Sequence, residues 1–341
     1  MQTPHYRILG GLGSPYSLKM RAILRYRRLP HVWVQINDSH NEERAQVRAP
    51  VIPVLRYPDG GYHNDSTPMI YELEALHAER GVVPADPGDA FLAFLLEDMA
   101  DEWGTKLMFH YRWFRERDQV RMSEWLAYDR AQGGGYAGIK AFADRFRDRQ
   151  VGRMALVGCT PQNAPIIEDT ARTLAAIFEA QVLERPFLFG ARPSLAEFGW
   201  YGQFSQLIVD PTPNDLMREI APFTVRWLMH MDDLSGLEEG AWRAPGEALP
   251  PAVDQLLAFA GEVYFPFLEA NAQAIADSAE TFTVELLGRP YTQAPFKYQV
   301  RCLEQLRRAF VDLPAEARDR IAPRLDKAGV LARLTKRIVP A

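Results

Sequence analysis

The chain has 341 residues, 47% of them apolar and 24% charged, which suits a globular protein of two domains whose core needs neither metal nor disulfide. Its formal net charge is −5, from 39 basic and 44 acidic residues, and no basic patch stands out, which argues against a nucleic-acid partner. The cysteines Cys159 and Cys302 lie far apart with no C-x-x-C spacing; this excludes a disulfide framework and a zinc-finger site and fits a reducing cytoplasm.

In chain order, Tyr6-Arg7-Ile8-Leu9 reads as a short strand and Gly10 to Tyr16 as a loop. Leu18, Ala22, Leu24 and Leu29 give Ser17–Leu29 the spacing of an amphipathic helix. Val32, Val34 and Ile36 alternate, which predicts a strand over 31–37. Polar residues 38–49 suggest a short irregular helix. Val51 to Tyr57 reads as a strand interrupted by Pro53, and Pro58-Asp59-Gly60-Gly61 as a hairpin turn that returns through Tyr62-His63. Asp65-Ser66-Thr67 then caps a helix that carries Pro68 in its first turn. The expected order is β-α-β-(α)-β-β-α over residues 1–80.

Residues 81–89 hold two prolines and two glycines and read as a linker. Residues 90–341 read as all-helical. Leu96, Met99, Trp103, Leu107, His110 and Phe114 form one stripe of a long helix. Segments 165–184, 197–209, 214–231, 252–277, 297–311 and 315–337 also have helical periodicity. Ser194-x-x-Glu197 is a capping box. No charged and apolar leader opens the chain, and no apolar run is long enough for a membrane span, so neither a signal peptide nor a membrane partner is expected.

Gly11-x-Gly13 follows a strand, but Tyr16 stands where a dinucleotide fingerprint needs its third glycine, and no Gly-Lys-Ser/Thr follows for a P-loop. A different constellation is more informative. Ser14 precedes a helix whose free N–H groups favour an anion. Pro53 cannot donate a ladder hydrogen bond and marks an edge, a bulge or a cis turn. Asp65-Ser66 offers a carboxylate for an ammonium and N–H groups for a carboxylate. A thiolate cradle, a backbone edge and a zwitterion clamp together suit a cysteine-containing tripeptide. Each feature alone has a structural reading, as a helix cap or a turn.

These residues resemble the glutathione S-transferase superfamily. Ser14-Pro15-Tyr16-Ser17-Leu18-Lys19-Met20-Arg21 is similar to that family's active-site turn and first helix, Val51-Ile52-Pro53-Val54-Leu55 to its cis-proline strand, and His63-Asn64-Asp65-Ser66-Thr67 to its acidic-Ser motif. The block from Phe187 to Phe198 resembles a helix start of the family's second domain. The resemblance covers about residues 4–80 and 90–235. It implies a thioredoxin-like α/β N-terminal domain, an all-α C-terminal domain, and an extension over about 236–341 of unassigned role.

It further implies glutathione as co-substrate, a small hydrophobic electrophile as second substrate, no metal, and a cytoplasmic homodimer serving detoxification. Ser14 would donate a hydrogen bond to the thiolate; Tyr16, Ile52, Pro53, Asp65 and Ser66 would bind glutathione. Met99, Trp103, Leu107 and His110 would border the electrophile pocket, although such a stripe also suits a helical core. Serine at positions 14 and 17 leaves no thiol for a mixed disulfide, so disulfide reduction is not expected. The alternatives are a non-catalytic glutathione-binding or scaffold protein, or a specialised glutathione-dependent lyase, dehalogenase or isomerase.

Overall fold

The computed structural model describes residues 5–130 and 135–336. Four strands form the N-terminal sheet: β1 (Tyr6–Gly10), β2 (His31–Gln35), β3 (Val54–Arg56) and β4 (Tyr62–Asn64), in the spatial order β2-β1-β3-β4. β1 and β2 run parallel, linked across α1 (Pro15–Tyr26); β3 is antiparallel to both β1 and β4. The short helix α2 (Asn41–Arg44) lies in the β2–β3 connection, and α3 (Ser66–Leu76) follows β4. This is a thioredoxin-like domain. β3 is shorter than the strand expected over 51–57, because Pro53 has no N–H for the ladder and pairing starts only at Val54.

The chain then becomes helical. Asp86 caps α4 (Pro87–Met99) by accepting from the Asp89 N–H. One π-turn (Ala100–Gly104) joins α4 to α5 (Thr105–Trp113), where the sequence suggested a single regular helix. α6 (Glu116–Tyr128) and α7 (Gly135–Val151) form a hairpin, and α8 (Ala164–Glu184) and α9 (Leu195–Leu207) follow. Both halves of the Ser194–Glu197 capping box form at the start of the wholly buried α9. The helix expected over 214–231 is two helices, α10 (Pro211–Ile220) and α11 (Pro222–Met231). The break is at Ala221, which the following proline keeps out of the helical region.

The extension contains α12 (Pro251–Phe259), a second π-turn (Ala260–Tyr264), α13 (Phe265–Ala276), α14 (Lys297–Val311), α15 (Ala315–Lys327) and α16 (Leu331–Leu334). Its all-helical reading needs correction. β5 (Phe282–Leu286) and β6 (Arg289–Gln293) form an antiparallel hairpin around Leu287 and Gly288, both with positive φ. The period-two spacing of Phe282, Val284 and Leu286 is the signal for it. Residue 337, at the end of the last expected helix, lies outside the described residues. No helix among the described residues is long and apolar enough to cross a membrane.

One apolar core runs from the sheet through both helical parts and includes Ile8, Trp103, Phe198, Phe267 and Leu306. α9 passes so close to the start of α1 that a Cβ at Gly202 would stand 2.7 Å from the Pro15 carbonyl oxygen. Glycine is required at that crossing, and it seats the first turn of α1 directly on the helical domain.

Candidate active site

Register determines which loops meet. Leu9 pairs with Val54 and Val54 with Asn64, so the turn after β1, the segment before β3 and the segment after β4 emerge at one end of the sheet. They carry Ser14, Ile52-Pro53 and Asp65-Ser66. The Ile52–Pro53 peptide is cis, as the resemblance implies.

Ser14 has extended backbone geometry and accepts a hydrogen bond from the Ser17 N–H at 3.3 Å, with Pro15 opening the helix. Its half-buried side chain lines a cavity of about 180 Å³. Ile52 and Gln35 lie on the same cavity, whose far wall is Met108, Phe109 and Trp113 of α5 with Leu126 of α6. The wall is mainly apolar, with a hydroxyl at its helix-capping end.

The loop before Ser14 is clamped from the helical domain. Arg112 donates to the Gly13 carbonyl oxygen at 2.8 Å, to both carboxylate oxygens of Asp210 at 2.8 and 3.0 Å, and to Gln206 Oε1 at 2.7 Å. Gln206 also donates to the Leu12 carbonyl oxygen at 3.2 Å. Burial raises the Asp210 carboxyl above its ordinary range, although the Arg112 charge pulls the other way. The sequence reading missed this clamp. Arg112 lies 94 to 99 residues from its partners and Gln206 lies 194 from Leu12, and no local spacing signals it.

The other expected site residues are placed less simply. Tyr16 does not line the Ser14 cavity. Its hydroxyl donates to the Asp101 carbonyl oxygen at 2.9 Å, and burial with the nearby Asp101 and Glu102 charges raises its pKa well above the usual. Asp65 has φ 77° and accepts from the Tyr298 hydroxyl of α14 at 3.0 Å. Ser66 is buried, and its Oγ accepts from Lys19 Nζ at 3.2 Å. Lys19 also donates to Asp101 at 2.7 Å and to Glu97. Ser14 and Ile52 therefore share one cavity, while Asp65 borders another beneath α14.

Met99, Trp103, Leu107 and His110 are a correction. All four are fully buried in the helical core, and none lines the Ser14 cavity. Trp103 donates to Thr170 Oγ1 at 3.3 Å, and His110 bonds Glu168 at 2.9 Å. Burial lowers the His110 pKa against the pull of Glu168. The most apolar stripe of the helix packs inward, so the cavity receives the adjoining face. Burial also pushes the Cys159 thiol up to about 12 and raises Cys302, which leaves both as unreactive thiols. Among the described residues, no group of three His, Cys, Asp or Glu side chains is arranged to hold a metal ion.

Residues 10–81 match the family described as glutathione S-transferase, N-terminal domain. The search of curated proteins returns no match. Among solved structures, the chain is similar to a glutathione S-transferase from Methylobacterium radiotolerans in complex with glutathione sulfonate, at 19% identity over 67% of this chain and 90% of that one, TM-score 0.40. A glutathione S-transferase from Rhodospirillum rubrum matches at 17% identity over 74% and 99%, TM-score 0.43. A glutathione transferase from Phanerochaete chrysosporium matches at 12% identity over 82% and 99%, TM-score 0.40. The match over residues 10–81, together with the thioredoxin-like sheet, makes this part of the chain similar to a glutathione S-transferase N-terminal domain.

Proposed function

We propose that the protein binds glutathione with its sulfur at Ser14 and adds it to a small hydrophobic electrophile. The observation that carries this reading is the apolar cavity that meets a helix-capping hydroxyl at Ser14 and the Ile52 backbone edge. A cysteinyl thiol with a pKa near ~8.5 is mostly protonated at neutral pH. A hydroxyl donor and free helix N–H groups stabilise its thiolate. The apolar side chains of α5 and α6 suit a hydrophobic second substrate. The same reading extends to a cytoplasmic homodimer.

Calorimetric titration with glutathione, followed by thiolate absorbance across pH, tests the assignment. Ser14→Ala is expected to raise the bound-thiol pKa, lower turnover of an aryl halide about 10²–10³-fold, and weaken binding only modestly. Tyr16→Phe is expected to leave the titration unchanged, because that hydroxyl is engaged by Asp101. A shift in Tyr16→Phe alone moves the role to Tyr16, and no heat with glutathione removes the ligand assignment.

A second reading, glutathione binding without turnover, is favoured by one observation. The Ser66 hydroxyl and the Asp65 carboxylate, which would hold the γ-glutamyl end, already have partners in Lys19 and Tyr298. Saturable binding with no conversion of several electrophiles would select it.

A further inference from the structure

The extension docks on the body through ion pairs. Arg307 and Arg333 meet Glu269, Arg320 meets Asp86, and Arg324 meets Asp254. Arg301 of α14 departs from this pattern. It has no ion-pair partner among the described residues and lines a groove of about 480 Å³ between α14, α3 and α4. Its guanidinium lies 5.6 Å from the centroid of the Tyr298 ring, and the Tyr298 hydroxyl donates to Asp65 Oδ2 at 3.0 Å. Asp65 lines the same groove, yet no ion pair joins it to Arg301, and its Oδ1 takes no hydrogen bond among the described residues. A carboxylate and a guanidinium thus stand apart on one wall, with Tyr298 between them.

The groove carries three carboxyls, Asp65, Asp98 and Asp312, against Arg301 and Arg308, a balance that disfavours a purely anionic ligand. Arg308 and Asp312 are four residues apart at the outer end of α14, where their opposite charges offset each other. Asp98 is buried at the inner wall and accepts from the Tyr264 hydroxyl at 2.5 Å; any charge it carries adds to the preference of Asp65 for a cation. The inner end therefore presents one open acceptor and one open cation, the complement of a zwitterion.

The sheet joins this end to the Ser14 cavity. Val54 pairs with Asn64 in an antiparallel ladder, so Pro53 and Asp65 come next to each other as β3 and β4 leave the sheet, on strands about 5 Å apart. Ile52 lines the Ser14 cavity and Asp65 the groove. A peptide with its sulfur at Ser14 and its backbone along Ile52 reaches Asp65 with its neighbouring residue.

We propose that the inner end of the groove holds the free amino-acid head of glutathione, with Asp65 on the ammonium and Arg301 of the extension on the α-carboxylate. This rests on glutathione binding, which both readings above share. Tyr298 is a positioning residue. It fixes Asp65 through one oxygen, leaves the other for the ligand, and supports the guanidinium with its ring. The extension thereby completes the tripeptide site and selects a γ-linked glutamyl residue, in which ammonium and carboxylate sit on one carbon.

The test is calorimetric titration of the full-length protein with glutathione and with two analogues that each lack one charge of the head. γ-Aminobutyryl-cysteinylglycine lacks the α-carboxylate, and glutaryl-cysteinylglycine lacks the ammonium. Arg301→Gln is expected to weaken glutathione about tenfold or more, as for loss of a charge-assisted hydrogen bond, and to leave γ-aminobutyryl-cysteinylglycine unchanged. Tyr298→Phe should weaken glutathione about fivefold and leave glutaryl-cysteinylglycine unchanged. The analogue that each substitution spares certifies the fold of that variant. Glutathione affinity retained in Arg301→Gln, or lost in equal measure for glutathione and γ-aminobutyryl-cysteinylglycine, overturns the proposal and leaves glutathione binding at Ser14 standing. No heat from the parent protein with glutathione removes both.

Discussion

Lys19 has no exposed surface, yet it remains charged because two carboxylates face it. Burial works to lower its pKa, but Asp101 and Glu97 outweigh that and hold it above the ordinary lysine value. Through this one side chain, α1 is tied to the first turn of α3 at Ser66 and to α4 and the π-turn. Replacing it with an isosteric apolar group leaves two carboxylates buried without a counter-charge. Lys19→Met is expected to cost about 3–5 kcal/mol in thermal or urea unfolding, as for other broken buried ion pairs. Ser66→Ala removes one hydrogen-bonding hydroxyl and should cost about 1 kcal/mol. Equal losses in the two variants would show that the lysine charge does not govern this junction.

At the scale of elements, the π-turn between α4 and α5 collects the acids that the sheet end faces. Burial pushes both Asp101 and Glu102 up to about 7; Lys19 opposes the shift of Asp101, and a Gln299 hydrogen bond opposes that of Glu102. A carboxyl whose pKa is raised on folding binds its proton more tightly in the folded chain. Its contribution is therefore complete below the unfolded value near ~4 and is lost as pH rises through about 7. Melting temperature is expected to fall between about pH 4 and pH 7 and to level off above that, and Glu102→Gln should flatten that fall. Asp232 works in the opposite direction. Burial opposes ionisation, but its bonds from Tyr201 and Arg21 hold its pKa below the usual value, so it withdraws stability only in stronger acid. A melting curve flat across that range in the parent protein would contradict the π-turn assignment.

At the scale of the whole molecule, the extension belongs to the same core as the domain it follows. Phe267 packs on Trp103 with ring centroids 5.5 Å apart, and Tyr264 bonds Asp98. Asn163 is bonded to both backbone groups of Thr292 in the hairpin, at 2.8 and 3.1 Å. Buried Lys106 donates to Gln293 at 2.7 Å, and burial lowers its pKa to about 8. Each large apolar side chain that truncation exposes forfeits about 1.5–3 kcal/mol. A chain ending at Leu249 is therefore expected to lose cooperative unfolding, and limited proteolysis should release no stable fragment that begins there. Recovery of such a fragment with its own melting transition would make the extension an independent domain.

The amino-acid sequence by itself determined what depends on neighbours a few residues away. The Ser14 cap, the Pro58–Gly61 turn, the Ser194–Glu197 capping box and the β-α-β-(α)-β-β-α order are legible because they rest on signals a few residues apart. Only the tertiary structure decided which face of α5 meets the cavity, since periodicity identifies an apolar stripe without naming its partner. It alone joined Arg112 to the Ser14 loop over 99 residues, Lys19 to Asp101 over 82, and Asp65 to Tyr298 over 233. These contacts form between groups whose chemistry is common in any sequence and whose meeting depends on how the helices pack. That packing set Ser14 and Asp65 on separate cavities, although their motifs open on the same end of one sheet.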